Sequence, residues 1–475
     1  MRNIPTEQIY RSLRQQNPWW EGPHVVPSVY TDCRPRSYLP HFAALFAESS
    51  VRRAVVLMGP RRVGKTYLIH HTIAELLSLG VEPLSIGYFA VDQPLLNGLG
   101  MEELLEHYLD IVGQERREQL NYVFFDEIQY LKDWEVHLKT LVDRHPDLRI
   151  AVSGSAAAAL RLRSLESGAG RFTDFVLPPL TFQEYLMLLD LEDLMRPYRG
   201  NQDDVWATNR INELNDRFQS YLNFGGYPEV LFSKEIQAAP GRFVKSDIID
   251  KVLLRDLPSL YGIQDSQELN SLFTTLAYNT ANEVSLEGLA QRSGVAKNTL
   301  RRYIEYLQAA FLIRVVHRID RNARRFKRAN FFKVYLTNPS MRAALFSPIE
   351  DDDPCMGELV ETAVFSQWFH AQIPLHYARW KDGEVDLVSL DTQQKPQWLV
   401  ESKWSDRIVE HPEELGALVR FCKANAVETA LVTTKSLRAD ATLEGVRIAF
   451  RPAATYCYTV GRKLATDSQL VERQG

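Results

Sequence analysis

RAVVLMGPRRVGKTYLIHHTIAELLSLG, residues 53–80, decides the fold of the first part of this 475-residue chain. The apolar run Ala54–Met58 shows no polar alternation, as expected of a strand buried on both faces. GPRRVGKT follows at Gly59–Thr66, and an apolar-periodic stretch then opens a helix. Strand, glycine loop and helix in that order begin a βαβ unit. The spacing GxxxxGK[ST] has a chemical reason. Gly59 and Gly64 let backbone N–H groups curl around phosphates with no side chain intervening. Lys65 then reaches the β- and γ-phosphates, the Thr66 hydroxyl ligates Mg²⁺, and the helix N-terminus favours the anion. Pro60, Arg61, Arg62, Val63 and Tyr67 complete this cofactor-binding stretch.

Further strand-like runs, SIGYFAV at 85–91, NYVFFDEI at 121–128 and LRIAVSGS at 148–155, alternate with helical stretches, which implies a parallel sheet covered by helices on both faces. Tyr122–Phe125 place Asp126 and Glu127 at the carboxyl end of a strand, where open parallel sheets bind ligands. Asp126 suits Mg²⁺ binding and Glu127 suits polarisation of an attacking water. Ser153, Gly154 and Ser155 end another strand. Ser155 serves equally as a γ-phosphate contact or as the N-cap of AAAALRLR. Arg171 in GAGRF is either an arginine finger for the transferring phosphoryl group or an ordinary loop arginine. ATP and Mg²⁺ are the expected cofactors, and ATP hydrolysis is the expected reaction.

The remainder is longer than one core supports, at roughly 150 residues per domain. Beyond FVLPPLTFQEYL the sequence turns helical, interrupted by FGGYPEVL with Gly225, Gly226 and Pro228, and reads as a lid. SLEGLAQRSGVAKNTLRRYIEYLQAAFLIRVV, from Ser285, reads as helix, glycine turn at Gly294, helix and strand, a winged helix-turn-helix order. Lys297, Arg301 and Arg302 fall on the second of these helices. RVVHRIDRNARRFKR at 314–328 holds seven Arg or Lys against one Asp. That concentration suits phosphate contact by a wing, or a solvated or packing face. The whole chain carries 55 basic and 60 acidic residues, a net charge of -5, which excludes a uniformly basic nucleic-acid coat and leaves only a local patch.

After the acidic EDDDP at 350–354, one helix, three strands, a helix and a further strand can be traced. Glu361 lies on the helix, Asp386 near the KDGE turn, and Glu401 and Lys403, two apart, on one face of the third strand. Three carboxylates and a lysine at these places suit metal-dependent phosphodiester cleavage. Asp386 and Glu401 would hold the hard cation, and Lys403 would stabilise developing charge. Glu384 faces either the site or solvent.

GPRRVGKT, FFDEIQYL, SGSAAAAL followed by GAGRF, PPLTFQEYL and FGGYPEV together resemble the prokaryotic AAA+ ATPases close to the STAND and archaeal origin-recognition branch that end in a nuclease-like domain of unknown function. The order Glu361, Asp386, Glu401-x-Lys403 resembles the PD-(D/E)XK nuclease signature. The resemblance implies an α/β fold with an AAA+ P-loop ATPase core of strand order 5-1-4-3-2 over 41–186 and the GGYP segment in a helical lid over 187–244. Residues 1–40, with Trp19, Trp20 and several prolines, read as an N-terminal arm whose aromatics suit packing; the element orders above give a winged helix-turn-helix over 245–324 and a PD-(D/E)XK nuclease-like α/β domain over 325–475. The resemblance also implies Pro228 near the adenine and the Ser155 region at the sensor of γ-phosphate. The expected function is an ATPase controlling a nucleic-acid-binding, Mg²⁺-dependent nuclease-like module, DNA before RNA, with a homo-oligomer as a possible assembly. The alternative is a nucleotide-switched regulatory or defence scaffold whose last domain binds without cutting. Four scattered cysteines without a CxxC pair, and no apolar run of membrane-spanning length, suit a cytoplasmic protein without a membrane partner.

Overall fold

The computed structural model describes residues 5–466 except 23–24, 48–51, 97, 114–120, 155–169, 199–205, 326–329 and 372. The chain divides into two compact units, one comprising Met1–Leu177 and the other Pro178–Leu470.

The first unit is built on five strands, β1 (Ala54–Met58), β2 (Ile86–Ala90), β3 (Asn121–Asp126), β4 (Leu148–Gly154) and β5 (Phe172–Val176). Their order is β2-β3-β4-β1-β5, all pairs parallel, which is the expected 5-1-4-3-2. Every residue of β1 is buried, as its unbroken apolar run requires. The N-terminal arm covers the outer edge of β2. The Asn17 amide donates to Tyr88 O at 2.9 Å and its carbonyl accepts from Tyr88 N at 2.7 Å, while the Trp19 and Trp20 indoles donate to Ile86 O. An edge strand with free amides invites wrong pairing, and this arm closes it. Trp19 and Trp20 are buried and serve packing.

Among the described residues, the second unit contains a short hairpin, β6 (Arg196–Pro197) with β7 (Trp206–Ala207), and nine further strands. These are β8 (Glu283–Ser285), β9 (Ile313–Ile319), β10 (Phe331–Leu336), β11 (Leu375–Trp380), β12 (Gly383–Leu390), β13 (Pro396–Glu401), β14 (Thr429–Thr434), β15 (Ala439–Leu443) and β16 (Val446–Pro452). They form one sheet, ordered β15-β16-β14-β13-β12-β11-β9-β10-β8. Helices Ser266–Tyr278, Leu286–Ser293 and Lys297–Ala309 lie in sequence around β8 and before β9. Helix Met356–Gln367, with Leu359, Val360, Ala363 and Val364 buried, precedes the β11-β12-β13 meander. Helix Gly416–Ala424 leads to β14.

Two expected boundaries cut through continuous structure. Position 324/325 lies in the connection between β9 and β10, which pair with each other antiparallel from Ile313↔Leu336 to His317↔Phe332. β9 in turn pairs parallel with β11, so the sheet runs unbroken across that position. Position 186/187 lies within helix Phe182–Leu188, whose N-terminus is closed by a Thr181/Glu184 capping box and which belongs to the second unit. FGGYP likewise packs within the second unit: a Cβ on Gly226 would lie 2.5 Å from Ser340 Oγ and 2.6 Å from Asn338 Oδ1, so no larger residue fits there. Among the described residues, no helix is long and apolar enough to cross a membrane.

Candidate functional site

The loop Gly59–Gly64 leaves the carboxyl end of β1 and delivers the chain to helix Lys65–Ser78. Gly59 has φ +154°, and a Cβ there would lie 2.2 Å from Leu177 O. Glycine is therefore fixed by backbone contact as well as by dihedral. Arg62 also has positive φ, at +60°. Lys65 is buried, and its Nζ folds back to donate to Gly59 O at 3.0 Å and Pro60 O at 2.8 Å. Burial pushes its ammonium down to about 8, against the pull of Glu127 and Asp126. The ammonium thus sits on the inner side of the loop, bonded to carbonyls that phosphate oxygens can outcompete.

Asp126, at the end of β3, gathers the polar groups around it. Thr66 Oγ1 donates to Asp126 Oδ2 at 2.7 Å, Tyr88 OH donates to the same oxygen at 2.9 Å, and Ser153 Oγ donates to Oδ1. Thr66 and Asp126, the two residues expected to hold Mg²⁺, are therefore in contact, and both offer the hard oxygen donors that this ion prefers. Glu127 follows with φ +59°, and its carboxylate accepts from the Gln129 amide. Val63 is buried, Arg61 half-buried and Arg62 exposed, while Tyr67 sits edge-on to Tyr30 at 5.3 Å. Tyr88 was missed in the sequence, where it reads as one more apolar strand residue. Its register opposite Phe124 sets it on the strand beside Asp126.

Ser155 lies outside the described residues. Arg171 is placed at the start of β5, its carbonyl accepting from Ala54 N at 2.9 Å and its side chain paired with Asp143 at 2.8 Å. That is the amino end of the sheet. The five residues of β1 separate it from the loop at the carboxyl end, roughly 15 Å at ~3.3 Å per residue. Arg171 consequently does not join this chain's own phosphate loop. Pro228 opens the short helix Pro228–Phe232 in the second unit.

The second unit brings the other expected residues together. Asp386 on β12 is buried. Its Oδ2 accepts from Ser402 N at 2.9 Å and lies 3.9 Å from Lys403 Nζ, which donates to Glu401 Oε1 at 2.7 Å. Glu361 reaches the same cluster from helix Met356–Gln367, but its partners come from β10: Lys333 Nζ at 2.9 Å and Tyr335 OH at 2.6 Å. Lys333 also lies 2.8 Å from Glu384 Oε1 and 3.3 Å from Asp386 Oδ1 with its side chain only 4% exposed. Burial, reinforced by Asp386, raises Glu361 and Glu401 to about 7 each. Burial opposes ionisation of Asp386 too, yet Lys333 and Lys403 hold its carboxyl below the ordinary range. Lys333 is raised by its anionic neighbours despite the burial working against it.

Lys333 and Tyr335 were not singled out in the sequence. The available signal was a lysine inside FFKVYL, an otherwise apolar strand, with a tyrosine two residues on and so on the same face. Glu401 Oε2 is buried without a hydrogen-bond partner. Among the described residues, no group of three or more carboxylate, imidazole or thiol side chains is arranged to hold a metal ion. Oxygens of Glu361 and Asp386 that a metal would need are engaged by the Lys333 ammonium, so the cluster as arranged does not fit the divalent ion that the nuclease signature implies.

Comparison with known families finds a match for the segment that holds the first site. Residues 51–186 match the AAA domain family. This segment is therefore similar to AAA-type P-loop domains. The phosphate loop, Asp126 and Arg171 all lie within the AAA domain, and residues 215–353 match a domain of unknown function, DUF8612. That second match runs across the expected boundaries at 244/245 and 324/325, includes β10 and stops before Glu361. Among curated proteins, the chain is 26% identical over 334 residues to the uncharacterized protein MJ1637 of Methanocaldococcus jannaschii, covering 67% of this chain and 68% of that protein. It is 23% identical over 344 residues to an uncharacterized protein of Haemophilus influenzae, covering 70% and 78%. Among solved structures, the Saccharomyces cerevisiae Hsp104-ADP complex overlaps 64% of this chain and 40% of its own, with a TM-score of 0.30 and 14% identity. The replication initiator DnaA bound to AMPPCP and single-stranded DNA overlaps 57% and 87%, with a TM-score of 0.27 and 13% identity. Overlaps this loose carry no argument about function.

Proposed function

We propose that the AAA domain binds and hydrolyses ATP and that this reaction controls the second unit. The observation that carries the proposal is the Thr66–Asp126 contact at 2.7 Å beside a buried Lys65 already on the inner face of the glycine loop. Lys65 exchanges its two loop carbonyls for phosphate oxygens. Glu127 orients and polarises the attacking water, with the Gln129 amide holding its carboxylate. Thr66 and Asp126 would hold Mg²⁺, which supplies charge neutralisation on the transferring phosphoryl group. Arg171, at the opposite end of the sheet, acts as a finger only if a second copy of the chain presents it to a neighbouring loop. Lys65→Ala should abolish detectable nucleotide binding, whereas Glu127→Gln should bind ATP and fail to turn it over. Turnover at the wild-type rate in both variants would overturn the assignment.

For the second unit the reading is a winged helix followed by a PD-(D/E)XK-like domain, with nucleic acid, DNA before RNA, as partner. Support comes from the order helix, β8, helix, helix, β9, β10 with β8-β10-β9 antiparallel, and then helix, β11, β12, β13, helix, β14. Lys297, Arg301, Arg302, Arg321, Arg324 and Arg325 are exposed. A second reading, a nucleotide-switched scaffold whose last domain binds without cutting, is favoured by one observation: the ammonium of Lys333 lies where the cleavage reading needs a metal.

A further inference from the structure

Lys333 does not belong to the nuclease signature, and its strand lies outside the helix-and-meander segment that supplies the signature residues. Its ammonium nevertheless contacts three carboxylates, Glu361 at 2.9 Å, Glu384 at 2.8 Å and Asp386 at 3.3 Å, and lies 5.5 Å from the Tyr377 ring centroid. A lysine this buried stays charged only where anionic partners offset the loss of its hydration. The carboxylates depend on it equally, because Glu361 and Asp386 buried together repel each other unless a cation lies between them. At the cluster's other end, the lone Glu401 Oε2 is buried with no donor and has only Lys403 on its sister oxygen.

We infer that the Lys333 ammonium is the resident cation of this cluster, and that a divalent ion enters only by displacing it. The inference deepens the PD-(D/E)XK-like reading by giving its site an internal competitor. With Lys333 in place, Glu361 and Asp386 are charge-satisfied. With Lys333 withdrawn, Glu361 and Asp386 lose the charge that satisfies them and are left as hard oxygen donors. Lys333 sits on β10, and β10 pairs with β9 across the basic loop. Arg379, which pairs with Glu384 at 3.4 Å and Glu283 at 3.6 Å, remains to hold Glu384 when Lys333 leaves.

The test is Mn²⁺ titration by calorimetry into the full chain without nucleotide. Wild type, Lys333→Met, Lys333→Arg and Lys333→Met/Asp386→Asn are compared, with DNA and RNA cleavage measured on the same samples. Lys333→Met should bind Mn²⁺ at least about tenfold more tightly than wild type, since a buried competing charge has gone. Lys333→Arg should match wild type, and the double variant should lose the gain. Should Lys333→Met fail to fold, amine acylation of the wild-type chain read by mass spectrometry replaces it: Mn²⁺ should raise labelling of Lys333 about tenfold if the ion displaces it. Equal Mn²⁺ affinity in wild type and Lys333→Met, or Lys333 labelling indifferent to Mn²⁺, overturns the inference whether or not the protein cuts. Tighter Mn²⁺ binding by Lys333→Met without cleavage of any substrate upholds the inference and removes the nuclease reading alone.

Discussion

Lys65 shows how much a single position reveals. Its place after Gly64 was legible because the phosphate loop is local in sequence: glycine spacing, lysine and threonine lie within eight residues, and their chemistry needs no distant partner. Its burial was not legible, and it has a consequence. The folded-state ammonium lies at about 8, below its ordinary 10.5, so between these values the unfolded chain binds more protons and stability rises with pH. Nucleotide favours the charged form, so affinity should fall as pH rises through about 8, and binding above that pH should take up a proton. Calorimetry in buffers of differing ionisation enthalpy measures that proton directly, and no uptake at pH 9 would contradict the assignment. Gly59→Ala tests the loop's geometry. A Cβ 2.2 Å from Leu177 O at a φ of +154° should cost at least about 2 kcal/mol in urea unfolding and abolish ATP binding. Arg171 marks where single-residue reading ends. Its motif suggested a finger, but β5 sets it beside Asp143 at the far end of the sheet.

Elements were legible wherever burial imposed a period. The unbroken apolar run of β1 and the amphipathic helices around Gly294 declared themselves, as did the β11-β12-β13 meander. The extension of the arm's role to the β2 edge was not, because Asn17 acts through a backbone 71 residues away. Asn17→Ala should remove three buried hydrogen bonds, two of them to the β2 backbone, and destabilise the first unit by about 2 kcal/mol, with increased aggregation as the edge is uncovered. Differential denaturation and light scattering read both effects, and unchanged values would reduce the arm to passive cover. On the β9–β10 hairpin, Arg321, Arg324 and Arg325 are exposed, whereas Lys327 and Arg328 lie outside the described residues. Replacing Arg324 and Arg325 by Ala should weaken nucleic-acid binding across all sequences and lower the salt slope by about 2. An unchanged slope would return these arginines to a solvated face.

At the scale of the whole molecule, the second unit is one sheet where the sequence suggested separate winged-helix and nuclease-like domains. A fragment beginning at 325 would keep β10 and β11 but lose β9, which pairs with both, whereas one beginning at Pro178 keeps all nine strands of the sheet. Residues 178–475 should therefore unfold in a single cooperative transition, and residues 325–475 should fail to give dispersed amide resonances. A well-folded 325–475 fragment would show that the β9 contacts are dispensable. By itself, the sequence determined the glycine loop and the parallel first sheet, because spacing and hydrophobic period are carried by neighbouring residues; Glu361, Asp386, Glu401 and Lys403 were named together only from their order along the chain and a family resemblance. Only the tertiary structure decided that Lys333 enters that cluster, that Arg171 leaves its own ATP site and that β9 joins β11. Those outcomes depend on which distant strands become neighbours, and that choice is set by the burial of whole faces and by charges that must find a partner once water is excluded.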